Sequence, residues 1–181
     1  MYPYEVVTLE EMLQARENRA DRQRQLISRY TVPLISMTIN IPGPQKSSPT
    51  SKYVFHEGYR ILMSQLAVNQ MTPLHCEAYD LLTGPEAYVP VQADARILKR
   101  LVIAIEDGHP LGRLLDLDVI GLNERAISRD ELGLGKRKCL LCDQAAHGCG
   151  RSRAHALPEL LEAIKALVDG YKRKHQVVKR A

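Results

Sequence analysis

The chain has 181 residues, 45% hydrophobic and 25% charged, which fits one ordinary folded domain and excludes a disordered or collagen-like chain. No run approaches the ~20 apolar residues of a membrane span, and the start, Met1 to Leu13, lacks the basic, apolar and small-residue sections of a secretory signal, so a cytoplasmic protein is expected. The net charge is +4, but residues 136–181 hold 11 Lys/Arg against 4 Asp/Glu, a basic surplus that suits an anionic partner or a solvated basic tail.

The first helix is signed by Thr8 and Glu11, a T-x-x-E capping box with Val7 placed to staple onto Met12, and it should run through the Arg-rich stretch to Arg29. A strand follows with period-two alternation: Ile35, Met37, Ile39 and Ile41 point one way, Ser36, Thr38 and Asn40 the other. Pro42-Gly43-Pro44 ends it. Ser48 caps a second helix with Pro49 at its first position, and Phe55, Tyr59, Leu62 and Leu66 recur at helical spacing. Leu74–Leu82 and Ala87–Val91 read as two strands joined by Thr83 to Glu86. A third helix starts near Asp94, with Ile97, Leu98, Leu101, Val102 and Ile105 on one face and Gly108 as its stop. A strand over this β-rich run is the alternative. Leu114–Ile120 reads as a strand, followed by a turn at Gly121–Glu124 and a short return to Ser128. The last helix carries one stripe of Leu157, Leu160, Leu161, Ile164, Leu167, Val168 and Tyr171. Interleaved helices and strands without a linker predict a single α/β (α+β) domain over residues 1–181, a mixed β-sheet with flanking helices, and a basic tail from about residue 172.

The segment His109-Pro110-Leu111-Gly112-Arg113 to Asp118 is the most informative for chemistry. On a strand, Asp116 and Asp118 face the same way, while Leu115, Leu117 and Val119 face the core. Two converging carboxylates repel each other, and a hard ion such as Mg²⁺ resolves the conflict. Arg113 and Gly112 lie just upstream, where a phosphate can be gripped by a guanidinium and by close backbone approach. His109 stands where a general base or a phosphate contact could act. Lys46 follows a rigid Pro-Gly-Pro corner that could present it to an anion. An amphipathic strand with Asp on its wet face is the plainer reading of the pair.

The four cysteines of such a chain are expected as thiols or metal ligands rather than disulfides. Cys139-x2-Cys142-x6-Cys149-x5-His155 can supply a Cys₃His set to Zn²⁺ as a structural clip, since four protein ligands leave no open position. A loop of idle thiols is the other reading. Phosphate-loop, dinucleotide-fold, nucleophile-elbow and zinc-protease motifs are absent from the sequence.

Several blocks in order make the sequence resemble the apo-citrate lyase phosphoribosyl-dephospho-CoA transferases, also called citrate lyase holo-acyl-carrier-protein synthases. They are Arg22-Gln23-Arg24-Gln25, Val32-Pro33-Leu34 leading to Pro42-Gly43-Pro44-x-Lys46, and His109-Pro110-Leu111-Gly112-Arg113-x-x-Asp116-x-Asp118-Val119. Ser128-Arg129 and Arg137-x-Cys139-Leu140-Leu141-Cys142, with Cys149 and His155, complete the set over about residues 7–170. The resemblance implies a nucleotidyltransferase-type enzyme. Such an enzyme moves the prosthetic group of 2′-(5″-triphosphoribosyl)-3′-dephospho-CoA to a serine of the citrate lyase acyl carrier protein (gamma) subunit and releases diphosphate. In that setting Asp116 and Asp118 hold Mg²⁺, Arg113 meets the triphosphate, and Arg129 and Lys46 are further contacts. The basic C-terminal quarter would suit an acidic carrier protein, with no membrane and no nucleic acid among the expected partners. Other nucleotidyltransferases place Gly-Ser ahead of the paired acids, whereas this chain has Gly112-Arg113, so the fold analogy is looser than the chemistry. Two other readings stay open at this point. One is a zinc-stabilised nucleic-acid-binding module, disfavoured by the absence of Trp and the single Phe. The other is a synthase for another carrier, such as that of malonate decarboxylase.

Overall fold

The computed structural model describes residues 6–178, with side chains described through residue 175. Helix α1 (Leu9–Tyr30) starts as the sequence predicts: the Thr8 side chain accepts from the Glu11 amide, and the Glu11 carboxylate returns to the Thr8 amide. Strand β1 (Leu34–Ile39) follows, then helix α2 (Pro49–Val68), capped by Ser48. Strands β2 (Thr72–Pro73), β3 (Glu77–Leu81) and β4 (Gly84–Gln92) come next. Helix α3 (Ala95–Gly108), strand β5 (Leu115–Ile120), the short helix α4 (Ala146–Ser152) and helix α5 (Leu157–Val178) complete the order. The residues from 172, read as a tail, continue α5; Lys179 and Arg180 lie outside the described residues.

The α/β class stands, but the expected mixed sheet is corrected. Every pairing among the described strands is antiparallel, in the order β2-β4-β1-β5 with β3 also on β4. The reason is connectivity. The α3 crossover carries the chain from β4 past β1 to β5, so those two like-directed strands never touch and β1 opposes both. The expected strand Leu74–Leu82 is in fact broken. Thr72–Pro73 and Glu77–Leu81 pair along the same side of β4 with registers offset by one residue, a bulge between them. The hairpin turn is also shorter than predicted: Leu81 pairs with Gly84, so only Leu82 and Thr83 are unpaired and Gly84 to Glu86 belong to the strand. The return after β5 is a single bridge, Ile120 to Ala126.

The sheet separates two apolar clusters. One face packs Ile35, Met37, Val89 and Leu117 against Phe55, Leu62 and Leu66 of α2, Leu98 and Val102 of α3, and Ile164 and Val168 of α5. The predicted stripes are right at their centres and wrong at their ends: Ile97, Leu157 and Leu161 are exposed. The opposite face carries α1, whose Leu26 and Ile27 meet Leu34, Tyr88 and Ile120. Polar links fix α1 there. Arg19 binds Glu86, Gln23 donates to Ser36, and Arg22 pairs with Glu77.

The Arg22 guanidinium holds the Glu77 carboxyl down to about 2 from an ordinary 4.5, with hydrogen bonds from His75 and Tyr79 assisting and burial opposing. A depressed folded pKa stabilises above the unfolded value and is lost as pH falls through the folded one. Glu77→Gln is therefore expected to cost about 1 kcal/mol near neutrality, discounted because Arg22 is partly solvated. The difference from the parent should shrink as pH falls below about 4.5, measured by urea unfolding at several pH values. A difference that does not change with pH would rule out the ion pair as its source.

Candidate active site

Strand β5 alternates as its sequence predicts: Leu115, Leu117 and Val119 are buried, while Asp116 and Asp118 are exposed on the face that α1 occupies further across the sheet. Register places Thr38 opposite Asp116 and Ser36 opposite Asp118. The carboxylates are about half exposed, 50% and 54%, and only loosely engaged. Asp116 has Thr38 Oγ1 and Arg137 Nη1, each at 3.4 Å; Asp118 has Lys99 Nζ at 3.6 Å. Burial, and after it the charge of Asp116, push the Asp118 carboxyl above its ordinary range, with Lys99 opposing. Two hard oxygen donors with free lone pairs, whose mutual repulsion Lys99 and Arg137 offset only in part, fit a Mg²⁺ ion.

β5 lies at the edge of the sheet, and charged side chains close that edge. Lys99 Nζ donates to the Leu117 carbonyl at 3.0 Å, and the Leu117 amide donates to Glu106 Oε1 at 3.0 Å. Arg137 Nη2 donates to the carbonyls of Arg113 and Leu115 at 2.6 and 2.5 Å. An unpaired strand edge is thus satisfied without a further strand. Glu106 is buried and pairs with Arg129 at 2.6 Å, and Arg129 also bridges to Asp107 at 2.9 Å. Of these groups, Arg129 was expected as a substrate contact and Arg137 stood in a family block, whereas Lys99, Glu106 and Asp107 were not singled out from the sequence. Lys99 and Glu106, seven apart, lie on the buried face of α3 beside Val102 and Ile103; charged residues on an apolar stripe were the available signal.

Gly112 opens a 3₁₀ turn whose backbone touches the end of α3: a Cβ there would stand 2.4 Å from the Glu106 carbonyl oxygen and 2.5 Å from that of Ile105. Its close approach is to the protein's own backbone. Arg113 is partly buried; among the described residues no hydrogen bond or ion pair to its guanidinium is found, and burial followed by neighbouring Arg137 lowers its pKa. Lys46 Nζ donates to the Ile41 carbonyl at 2.8 Å and closes the corner after β1. His109 caps the end of α3, accepts from the Leu111 amide at Nδ1 and packs on Tyr171 with ring centroids 5.3 Å apart. Neither Lys46 nor His109 lines the three cavities around the pair.

Those cavities meet around three arginines. A recess of about 290 Å³ holds Asp116, Asp118, Lys99 and Glu106. A basic cavity of about 720 Å³ is lined by Lys136 and Lys138. A third, of about 740 Å³, is mainly apolar, with Leu114, Leu140, Leu157 and Leu160. Arg129 borders the recess and the basic cavity, Arg113 the basic and apolar cavities, and Arg137 the apolar cavity and the recess.

Beside them, the ligand atoms of Cys139, Cys142, Cys149 and His155 all lie within 4.8 Å of one another. Cys142 Sγ is 3.6 Å from Cys149 Sγ and 3.4 Å from His155 Nε2. Against the opposing effect of burial, the amides of Leu141 and Cys142 help bring the Cys139 thiol down to about 7. A cluster of three thiols and an imidazole can bind a metal, and its chemistry is compatible with zinc.

Residues 7–171 match the family model described as apo-citrate lyase phosphoribosyl-dephospho-CoA transferase. The chain belongs to this family. A probable apo-citrate lyase phosphoribosyl-dephospho-CoA transferase of Vibrio cholerae serotype O1 (strain M66-2) is 38% identical over 166 residues, 91% of this chain and 93% of that protein. The transferase of Citrobacter koseri is 36% identical over 162 residues, covering 90% and 88%. That of Escherichia coli O157:H7 is 36% identical over 166 residues, covering 92% and 91%. Family membership covers both the acidic strand and the Cys/His cluster. It gives no support to a nucleic-acid-binding module.

Proposed function

We propose that this chain performs the reaction its family is named for, moving phosphoribosyl-dephospho-CoA to apo-citrate lyase by a nucleotidyltransferase-type displacement. The acceptor is a serine of the acyl carrier protein (gamma) subunit, the donor is triphosphoribosyl-dephospho-CoA, and diphosphate leaves. The observation that carries this reading is the Asp116/Asp118 pair, half exposed in a recess bordered by Arg129 and Arg137. In-line displacement at a triphosphate needs positioning and charge neutralisation more than a covalent protein nucleophile.

Asp116 and Asp118 are the residues that would hold Mg²⁺, which when bound neutralises charge on the phosphates. Arg113, with a guanidinium not committed to any described acid, is available to the triphosphate. Arg129 is committed to Glu106 and Asp107, so it sets the wall of the recess and adds positive potential there. Lys99 and Glu106 clamp the backbone at Leu117, between the two acids, and fix their direction. Gly112 keeps the turn that carries Arg113 tight against α3. Lys46 acts on the site through the corner it closes, and His109 through the end of α3 that it caps.

The Cys139–His155 cluster would hold structural Zn²⁺. The single-domain arrangement and a location among cytoplasmic enzymes suit this role; among the described residues no helix is long and apolar enough to cross a membrane.

Intact-mass measurement of purified carrier subunit tests the reaction. Incubation with this chain, Mg²⁺ and triphosphoribosyl-dephospho-CoA should add the mass of the prosthetic group once, with diphosphate released. Unmodified citrate lyase carrier would refute the reading, and modification of a malonate decarboxylase carrier instead would redirect it.

The basic surplus of residues 136–181 should speed encounter with an acidic carrier. Raising ionic strength to about 0.15 M, where screening sets in beyond about 8 Å, is expected to slow transfer at limiting carrier several-fold. A rate that ignores salt would leave this charge without a role in docking.

A further inference from the structure

The mainly apolar cavity of about 740 Å³ has no role in the displacement itself, yet it is joined to the acidic recess by a shared wall. Its floor and sides include Leu114, Leu140, Leu157, Leu160 and Ile164. Leu157, at the start of α5, leaves 38% of its surface exposed there. The rim is formed by the Pro42-Gly43 corner, which lies directly on Leu157. Gly43 has φ +89°, and a Cβ on it would come within 3.3 Å of the Leu157 methyls. Three arginines line the cavity, Arg113, Arg137 and Arg153, and Arg137 reaches to 3.4 Å from Asp116. Arg113 lines the same wall, with a guanidinium free of described partners.

An apolar chamber opening beside a phosphate-handling site, with cations at the junction, fits a flat apolar group attached to a phosphorylated sugar. We propose that this cavity binds the adenosine end of the dephospho-CoA portion of the donor. Adenine would occupy the leucine-lined chamber, and the sugars would pass Arg113 and Arg137 toward the recess. This inference rests on the transferase reading and adds to it the place where the donor is recognised. It also gives specificity a physical source. The triphosphate is common to many nucleotides, so discrimination falls to the chamber, which rewards an adenine that fits and rejects a bulkier or more polar base.

Calorimetric titration of the full chain with dephospho-CoA tests the inference. Saturable binding is expected, and ADP should compete with it while 4′-phosphopantetheine should not. Ala156 is exposed and lines the cavity, so Ala156→Trp fills the space without touching the core. It should weaken dephospho-CoA by about tenfold or more and leave inorganic triphosphate binding in Mg²⁺ unchanged. Leu160→Glu, with an unchanged thermal midpoint as the check on folding, should do the same. Absence of dephospho-CoA binding by the unaltered chain, or full affinity in both folded variants, would overturn the inference. The transferase reading fails separately: transfer that survives loss of the acidic pair would defeat that reading, whatever the cavity variants show.

Discussion

Asp116→Asn and Asp118→Asn are each expected to cut prosthetic-group transfer by on the order of 10²-fold or more, at about 1.4 kcal/mol per factor of ten. The triphosphate carries heavy negative charge, and a serine oxygen must approach an anionic phosphorus. The amide keeps the shape of the carboxylate and removes its charge, so it tests charge rather than packing. Structure separates the two variants. Asp116 has only long contacts to Thr38 and Arg137, and Arg137 keeps its bonds to the carbonyls of Arg113 and Leu115 without it. Asp116→Asn should therefore hold or slightly raise the thermal midpoint in chelator, because it relieves the repulsion felt by Asp118. Asp118→Asn also removes the counter-charge near Lys99, which is 7% exposed and keeps only the Leu117 carbonyl, so any such gain is offset. Asp130→Asn, in the turn before Leu132 and outside the recess, should be nearly silent in both assays. Near-parental transfer by both Asp116→Asn and Asp118→Asn in saturating Mg²⁺ would remove the pair from the mechanism.

The parts of this molecule that could be read from sequence are those set by neighbours a few residues apart. Thr8, Ser48 and Asp94 cap α1, α2 and α3 through their own side chains, and each acts within three residues. Period-two alternation likewise put Asp116 and Asp118 on one face of β5, since strand geometry leaves no other choice. What was misread depends on distant partners. The break between β2 and β3 exists because of their registers on β4, and the direction of the sheet follows from which strand β1 sits between. Ile97 and Leu161 extend apolar stripes past the width that the core covers. The site shows the same division. The acids and Arg113 are local to one strand and the turn before it. The clamp that aims them, Lys99, Glu106 and Arg137, arrives from 18, 11 and 21 to 25 residues away in the chain; two charges on the apolar stripe of α3 mark its start, but what they hold is set by tertiary packing.

Removal of metal from the Cys139–His155 cluster is expected to lower the thermal midpoint by on the order of 5 °C and to depress transfer as well. Little else holds this segment. Helix α4 buries none of its residues, and the stretch before it is ordered by a single bridge, Lys138 to Ala145, a few turn hydrogen bonds, an exposed Lys138–Asp143 pair and one half-buried side chain, Leu140, packed on the core. A stretch with so little apolar burial needs another constraint to stay ordered. Four ligand atoms already gathered within 4.8 Å would supply one as soon as an ion binds. The effect on transfer follows from position. Arg137 stands two residues before Cys139, holds the carbonyls of Arg113 and Leu115, and lies beside Asp116. Cys139 and His155 themselves line the apolar cavity. Loosening the cluster therefore loosens both the edge of β5 and a cavity wall. Elemental analysis of protein purified without chelator should find one zinc per chain, and Cys142→Ser should reproduce the loss of stability without added chelator. Metal content near zero, with a midpoint that chelator does not move, would show that the thiols hold the loop unaided and would leave the acidic pair untouched.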